Sequence, residues 1–193
     1  MKRTEKTDNL VMTAMMLCLI CLATYALKVP NPFTQGYVHL GDTFIFVAVL
    51  VLGKKNGAIA ASVGAALADV IGGYAIFAIG TFIAKGLMAF VMGTFIEYGA
   101  KKDAEKAASG TPVSRKKVLS HSPYELIGMI LGGLTEVIVY VFVNAAVYGN
   151  FTVGLISIPG NTVQFVCSMI VAVVLVHALL QTPAKRYLVF AHR

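Results

Sequence analysis

Residues 42–71 read DTFIFVAVLVLGKKNGAIAASVGAALADVI, two apolar segments joined by the polar turn Gly53-Lys54-Lys55. The first segment, 42–52, is about half as long as the roughly 20 residues that a helix needs to cross the hydrocarbon of a bilayer. We therefore expect it to be short, tilted or shielded by neighbouring helices. The second segment, 56–71, is rich in Gly, Ala and Ser, and small residues allow helix backbones to approach closely in a membrane. The stretch predicts two membrane helices, of which the second is the most crowded in the protein.

Positive charge alternates along the rest of the chain. Most of the 16 Lys and Arg residues lie in four polar segments, and the polar segments between them, 28–42, 72–80 and 148–161, contain only Lys28. Because basic segments of membrane proteins stay in the cytoplasm, the alternation predicts six spans with both termini cytoplasmic. The basic residues of the four segments are Lys2, Arg3 and Lys6; Lys54 and Lys55; Lys101, Lys102, Lys106, Arg115, Lys116 and Lys117; and Lys185, Arg186 and Arg193.

The predicted fold class is all-α: a polytopic membrane protein whose single domain, 1–193, is a compact bundle of six transmembrane helices. Hydrophobic residues make up 58% of the chain and charged residues 13%, whereas soluble domains average about 45–50% and about 25%. The net charge of +7 forms no basic stripe with interleaved aromatic residues, so we expect no nucleic acid partner. The predicted spans are 10–27, 42–52, 56–71, 77–98, 123–148 and 159–180, and a cytoplasmic loop, 99–122, extends the fourth helix before it turns.

The first apolar segment follows Met1-Lys2-Arg3, as the apolar region of a signal peptide would. No small-x-small cleavage site precedes a polar mature start, so we expect a retained membrane span. Ala14 and Cys18 stand four residues apart on it and form a small-xxx-small seam. The seam indicates either packing within this chain or a docking face for a partner membrane protein.

Ionisable side chains are costly at membrane depth, so each one is a candidate site residue. Asp42 begins the second span, where we favour a role as the helix N-cap. His39 precedes it and is a candidate ligand contact or lid residue. Asp69 and Lys85 fall at comparable outer depth on consecutive antiparallel helices. They predict a structural ion pair or, alternatively, a Lys85 that contacts a ligand directly.

Two polar stripes converge near the outer side of the predicted bundle. Residues spaced by three or four positions share one face of a helix. The stripes indicate a pocket for a small solute, and simple hydrogen bonding between helices is the alternative. They consist of Glu136, Tyr140 and Asn144 on the fifth span, and of Asn161, Gln164 and Ser168 on the sixth.

Other functions have less support in the sequence. An ion or proton channel, or a small secondary transporter, could use Asp69, Lys85 and Glu136 as a relay. The chain contains no GxxxxGK[ST], HExxH or GxSxG motif, so we expect no catalytic residues and no ATP hydrolysis by this chain. Its three cysteines form no metal-binding pair, and we expect neither a metal site nor a cofactor. An intramembrane enzyme is disfavoured because no His lies within convincing reach of a serine.

Several segments together resemble an S component, the substrate-binding membrane subunit of an energy-coupling factor (ECF) vitamin transporter. The resemblance covers about residues 9–181 and is nearest to the riboflavin, hydroxymethylpyrimidine and pyridoxine-type branch. It implies a six-helix subunit of the prokaryotic plasma membrane that binds one vitamin, together with a scaffold membrane subunit and two cytoplasmic ATPase subunits. The segments are His39-Leu-Gly-Asp42, the run 57–69 with Gly72-Gly73-Tyr74, Lys85-Gly86, and Pro159-Gly-Asn161-Thr-Val-Gln164.

In this family the ligand site is built from the outer loop after the first helix and from helices four to six. The family's docking seam, often Ala-xxx-Ala, corresponds here to Ala14-Met-Met-Leu-Cys18. A small heteroaromatic ring needs a few hydrogen-bond partners and an apolar wall, and no Arg lies in a span to hold a phosphate. We therefore expect hydroxymethylpyrimidine or a vitamin B6 pyridine in preference to riboflavin. The implied site residues are His39, Lys85, Glu136, Tyr140, Asn144, Asn161 and Gln164.

Overall fold

A computed structural model of the chain describes residues 2–30, 37–109 and 123–183. Most of the predicted loop 99–122 lies outside the described residues, as do the basic residues 115–117 and the basic C-terminal residues. Helices dominate the described part. The elements in chain order are α1 (Lys2–Ala26), β1 (Lys28–Pro30), β2 (Tyr37–His39), α2 (Asp42–Ile71), a single 3-10 turn (Ala75–Phe77), α3 (Ala78–Ala108), α4 (Pro123–Tyr148), α5 (Phe151–Ile156) and α6 (Ile158–Leu180).

Helix α2 is broken at Gly53, within the predicted polar turn. Gly53 has φ 77° and ψ −178°, a backbone conformation that is essentially restricted to glycine. A Cβ atom added to Gly57 would lie only 2.9 Å from Val49 Cα, although residues eight apart in one continuous helix are separated by about 12 Å. The two halves of α2 therefore fold back against each other beside the break. Lys54 and Lys55 follow the break directly.

Five helical segments in the described part of the chain are long and apolar enough to cross a membrane. With α2 taken as one unit, they are Lys6–Ala26, Asp42–Ile71, Ala75–Lys106, Pro123–Tyr148 and Phe151–Leu180. Their positions confirm the helical, membrane-embedded architecture expected from the sequence. The count of six spans and the cytoplasmic placement of both termini stay predictions.

The second half of α2 is as crowded as its small residues predict. Ala60, Ala61 and Ala65 are fully buried. A Cβ added to Gly64 would lie 2.7 Å from the carbonyl oxygen of Leu17 on α1, so a larger residue could not be placed there without moving α1. Close backbone approach of this kind is how membrane helices associate, because lipid supplies no hydrophobic drive between them.

Two short elements lie outside the predicted spans. Strands β1 and β2 pair antiparallel with Lys28 opposite His39, and form a β-hairpin that joins α1 to α2. Helix α5 is capped by Asn150, whose side-chain oxygen accepts a hydrogen bond from the Thr152 N–H at 2.9 Å. The all-α prediction therefore holds for the bundle, and the β-hairpin is the exception to it. The hairpin places His39 over the polar interior of the helices.

The helix boundaries otherwise follow the sequence closely. Helix α3 continues to Ala108, which confirms the expected extension of this helix past residue 98. Helix α6 carries Pro159 in its first turn, where the missing N–H of proline costs nothing. Phe46 and Leu50 on α2 and Met88 on α3 are among the buried core residues that hold the bundle together.

Candidate functional site

Lys85 lies at the centre of a buried polar cluster. Its side chain is fully buried on α3, and its Nζ donates to Asp42 Oδ1 at 2.7 Å and to Glu136 Oε1. Asp42 is the first residue of α2 and Glu136 lies in the middle of α4; both are also fully buried. One ammonium group thus joins three helices through two carboxylates. Charges removed from water in this way are stable only when they are paired and hydrogen bonded.

Gln164 on α6 completes this cluster. Its Nε2 donates to Asp42 Oδ2 and to Glu136 Oε1, both at 2.9 Å. Its Oε1 accepts the backbone N–H of His39 at 3.0 Å. Gln164 therefore ties the β-hairpin to three helices through one amide. We call Asp42, Lys85, Glu136 and Gln164 the buried cluster.

Two predictions made for these residues were wrong. Asp42 is not an N-cap: Gly41 occupies that position without a side-chain cap, and both Asp42 oxygens bond to other side chains. Lys85 pairs with Asp42 and Glu136 in place of the expected Asp69. Asp69 is buried near the end of the second half of α2, which folds back on the first half. The proposed relay of Asp69, Lys85 and Glu136 therefore has only its last two members in contact, and no observation favours a channel.

His39 is buried beside the cluster and held in its neutral form. Its Nδ1 accepts the backbone N–H of Gly41 at 3.0 Å, which requires that this nitrogen carry no proton. Burial lowers the pKa of His39 to about 4; the nearby Asp42 carboxylate opposes this effect and the Lys85 ammonium adds to it. His39 contributes no charge at neutral pH.

Tyr140 lines the same region one helical turn from Glu136. Its hydroxyl lies 3.0 Å from Thr81 Oγ1, and its ring centroid is 5.4 Å from Lys85 Nζ. A cation within about 6 Å of an aromatic ring face is attracted by it. Tyr140 therefore supplies an aromatic face beside the cluster.

The two predicted asparagines lie apart from these contacts. Asn144 is buried, but its Nδ2 donates to the carbonyl oxygen of Tyr140 on its own helix at 2.8 Å. Asn161 is half-buried, and its Nδ2 lies 3.4 Å from Ser157 Oγ at the start of α6. Of the seven predicted site residues, the structure joins His39, Lys85, Glu136 and Gln164 directly and places Tyr140 beside them.

Sequence reasoning missed Asp42 as a cluster member. The signal was present, because an acidic residue that opens an otherwise apolar segment must find a partner or remain outside the membrane. Because Asp42 starts a helix, we predicted an N-cap and did not predict its partners on other helices. Metal binding has no support here: among the described residues, no group of three or more His, Cys, Asp or Glu side chains could hold a metal ion.

The predicted docking seam lies on the surface of the bundle. Ala14 and Cys18 are both exposed on α1, and large apolar neighbours such as Leu10 and Met15 are exposed as well. The seam is therefore open to a partner or to lipid, and its docking role stays a prediction.

Comparison with known proteins places this geometry in context. The family model described as "ECF-type riboflavin transporter, S component" matches residues 4–181. A protein of Pyrococcus woesei, described as "Uncharacterized protein in gap 3'region", is 32% identical over 130 residues, which cover 67% of this chain and 74% of that protein. The family match includes every residue of the buried cluster.

Proposed function

We propose a transport role from one premise: the chain belongs to the family of ECF-type riboflavin transporter S components. It is a membrane protein and serves as the substrate-binding subunit of an ECF-type importer that takes up a small vitamin or vitamin precursor. The observation that carries the proposal is the match over residues 4–181, which spans all the described membrane helices. The buried cluster under the β-hairpin supports it, since ligand sites combine a few placed polar groups with an apolar wall.

In this proposal, partner subunits supply the energy for uptake. The family implies a membrane scaffold subunit and two cytoplasmic ATPase subunits, and the chain itself contains no nucleotide-binding loop motif. We assign docking on the scaffold to the seam of Ala14 and Cys18. Replacing Ala14 by Trp should prevent co-purification with the scaffold, whereas Val11→Trp, at another exposed position of α1, should not. If Ala14→Trp co-purified with the scaffold as well as the wild-type chain does, the seam would not be the docking site.

The proposed topology is six spans with both termini in the cytoplasm. The break at Gly53 and the fold-back of Gly57 onto Val49 support separate helices on its two sides. Single cysteines at Thr152 and Lys102, introduced into a chain without its native cysteines, test the orientation with a membrane-impermeant thiol reagent. We expect labelling of Thr152→Cys from outside the cell and protection of Lys102→Cys; the reverse pattern contradicts the topology.

The proposed ligand is a small nitrogen heterocycle of the hydroxymethylpyrimidine or vitamin B6 type, and riboflavin is the competing ligand. The described spans contain one buried Lys and no Arg, which suits a ligand without phosphate groups. The test is mass spectrometry of the compound released when the purified chain is denatured, followed by calorimetric titration of that compound. Recovery of no small molecule, together with no binding of any vitamin tested, would reject the role itself.

A further inference from the structure

The buried cluster leaves one of its polar atoms unused. Both oxygens of Asp42, the ammonium group of Lys85 and both ends of Gln164 have partners. Glu136 Oε1 accepts from Lys85 and Gln164, but Glu136 Oε2 has no hydrogen-bond partner among the described residues and is fully buried. Lys85, Asp42 and Gln164 are therefore positioning residues that hold one another. Glu136 Oε2 is the open acceptor.

A second unused group lies close by on α6. The Ser168 hydroxyl is fully buried without a partner among the described residues, one helical turn after Gln164. The backbone oxygen of Ser168 accepts the Thr43 hydroxyl at 3.2 Å, next to Asp42 in the chain. Buried polar atoms without partners are rare and call for an explanation, such as a bound molecule.

The charge of the cluster also indicates that a partner is missing. Asp42 and Glu136 each contribute a negative charge when ionised, and Lys85 contributes the single positive charge in contact with them. Two other titratable groups that face the cluster are neutral at pH 7, because His39 accepts a hydrogen bond at Nδ1 and Tyr140 is a phenol. The buried carboxyl group of Asp69, which interacts electrostatically with Tyr140, can only add negative charge. The ionised cluster therefore carries one uncompensated negative charge. In a water-poor interior such a charge is removed by a proton or by a cation.

We infer that Glu136 Oε2 recognises a positively charged, N–H-donating amine on the ligand. The inference rests on the proposed function and assigns the ligand class at the same site. A cationic group would complete the hydrogen bonding of Glu136 and balance the cluster. A carboxylate in the same position would face the free oxygen of Glu136 and be repelled.

The test compares one pyridine ring with three side groups on the purified chain at pH 7. Pyridoxamine carries a cationic aminomethyl group, pyridoxine a neutral hydroxymethyl group and 4-pyridoxate a carboxylate at the same ring position. We expect affinity to fall in that order, with pyridoxamine bound at least about tenfold more tightly than pyridoxine, as for a hydrogen bond to a charged group. Calorimetry measures each dissociation constant.

Glu136→Gln removes the charge and nearly keeps the shape. In this variant the preference for pyridoxamine over pyridoxine should shrink to about twofold or less. The matched control is Glu125→Gln, which alters another buried carboxyl group on the same helix outside the cluster and should keep the wild-type preference. If Glu136→Gln does not fold, the order of the three probes on the wild-type chain still decides the inference.

Three results overturn the inference. One is a preference for pyridoxamine that survives in a folded Glu136→Gln variant, and a second is wild-type binding of pyridoxine or 4-pyridoxate at least as tight as that of pyridoxamine. Tight binding of riboflavin, which has no cationic group, without binding of pyridoxamine also overturns it and leaves the transport role intact. Binding of no vitamin at all removes both proposals together.

Discussion

Two ion pairs of equal length join α2 to α3, one below the β-hairpin and one beside the break in α2. Lys85 Nζ lies 2.7 Å from Asp42 Oδ1 near the β-hairpin, and Lys54 Nζ lies 2.7 Å from Glu97 Oε2 near the break in α2. The first pair is fully buried, whereas the Lys54 and Glu97 side chains are 19% and 36% exposed. The same distance therefore has different consequences. An exposed pair adds little stability, but a buried pair cannot lose one member without leaving an uncompensated charge.

Lys85→Met should have the largest effect. It leaves the Asp42 and Glu136 carboxylates facing each other in a buried site, and breaking a buried ion pair in this way costs about 3–5 kcal/mol. Unfolding of the purified protein by denaturant in detergent measures the loss. The triple variant Lys85→Met/Asp42→Asn/Glu136→Gln, which removes all three charges, should recover most of it. Unchanged stability of Lys85→Met would show that the cluster does not hold the helices together.

Acid should lower the stability of the fold by protonating His39 beside the buried cluster. The pKa of folded His39 is about 4, against 6.5 when unperturbed, so the unfolded chain binds more protons between these pH values. The contribution of His39 to stability is complete above about pH 6.5 and falls by up to about 3 kcal/mol as the pH drops towards 4. His39→Asn, in which Oδ1 can replace Nδ1 as acceptor, should lose this pH dependence. His177→Asn, at an exposed position on α6, should keep it.

Gly53→Ala tests the break between the half of α2 that carries Asp42 and the half that carries Lys54. No atom lies within 4 Å of the added Cβ, so the strain comes from the backbone alone. A residue other than glycine in this conformation costs about 1–3 kcal/mol. Denaturant unfolding should show that loss in Gly53→Ala and almost none in Lys55→Ala, an exposed neighbour. Equal stability of the two variants would show that the backbone at position 53 does not require glycine.

Lys54→Met should have the smallest effect, at most about 1 kcal/mol. The Lys54 ammonium also lies 5.2 Å from the Phe90 ring centroid, and this contact is lost together with the Glu97 pair. A double-mutant cycle with Glu97→Gln measures the pair alone. A coupling energy as large as the loss in Lys85→Met would mean that the exposed pair stabilises the protein as much as the buried pair does.

The sequence predicted the helices better than the site. The long apolar segments and their glycine, proline and lysine boundaries are local signals, so most helix ends fell near their predicted positions. The cluster depends on contacts between distant residues: Gln164 meets Asp42 across 122 positions, and Lys85 meets Glu136 across 51. Helical spacing could place Glu136 and Tyr140 on one face, but only packing selects the partner of Lys85. The β-hairpin and α5 were missed because each is too short to carry a periodic pattern.

The shortness of the first half of α2 has a consequence for how the chain fills the bilayer. Residues 42–52 form about 16 Å of helix, roughly half the thickness of the hydrocarbon layer. In the proposed topology, with Lys54 and Lys55 at the membrane surface, the start of this helix falls near mid-depth, and its partial positive charge favours an acidic residue such as Asp42. Non-helical backbone at that depth is tolerated only where protein covers it or water reaches it. The β-hairpin and the neighbouring helices accordingly have to cover the start of this short helix, and Asp42 is fully buried there.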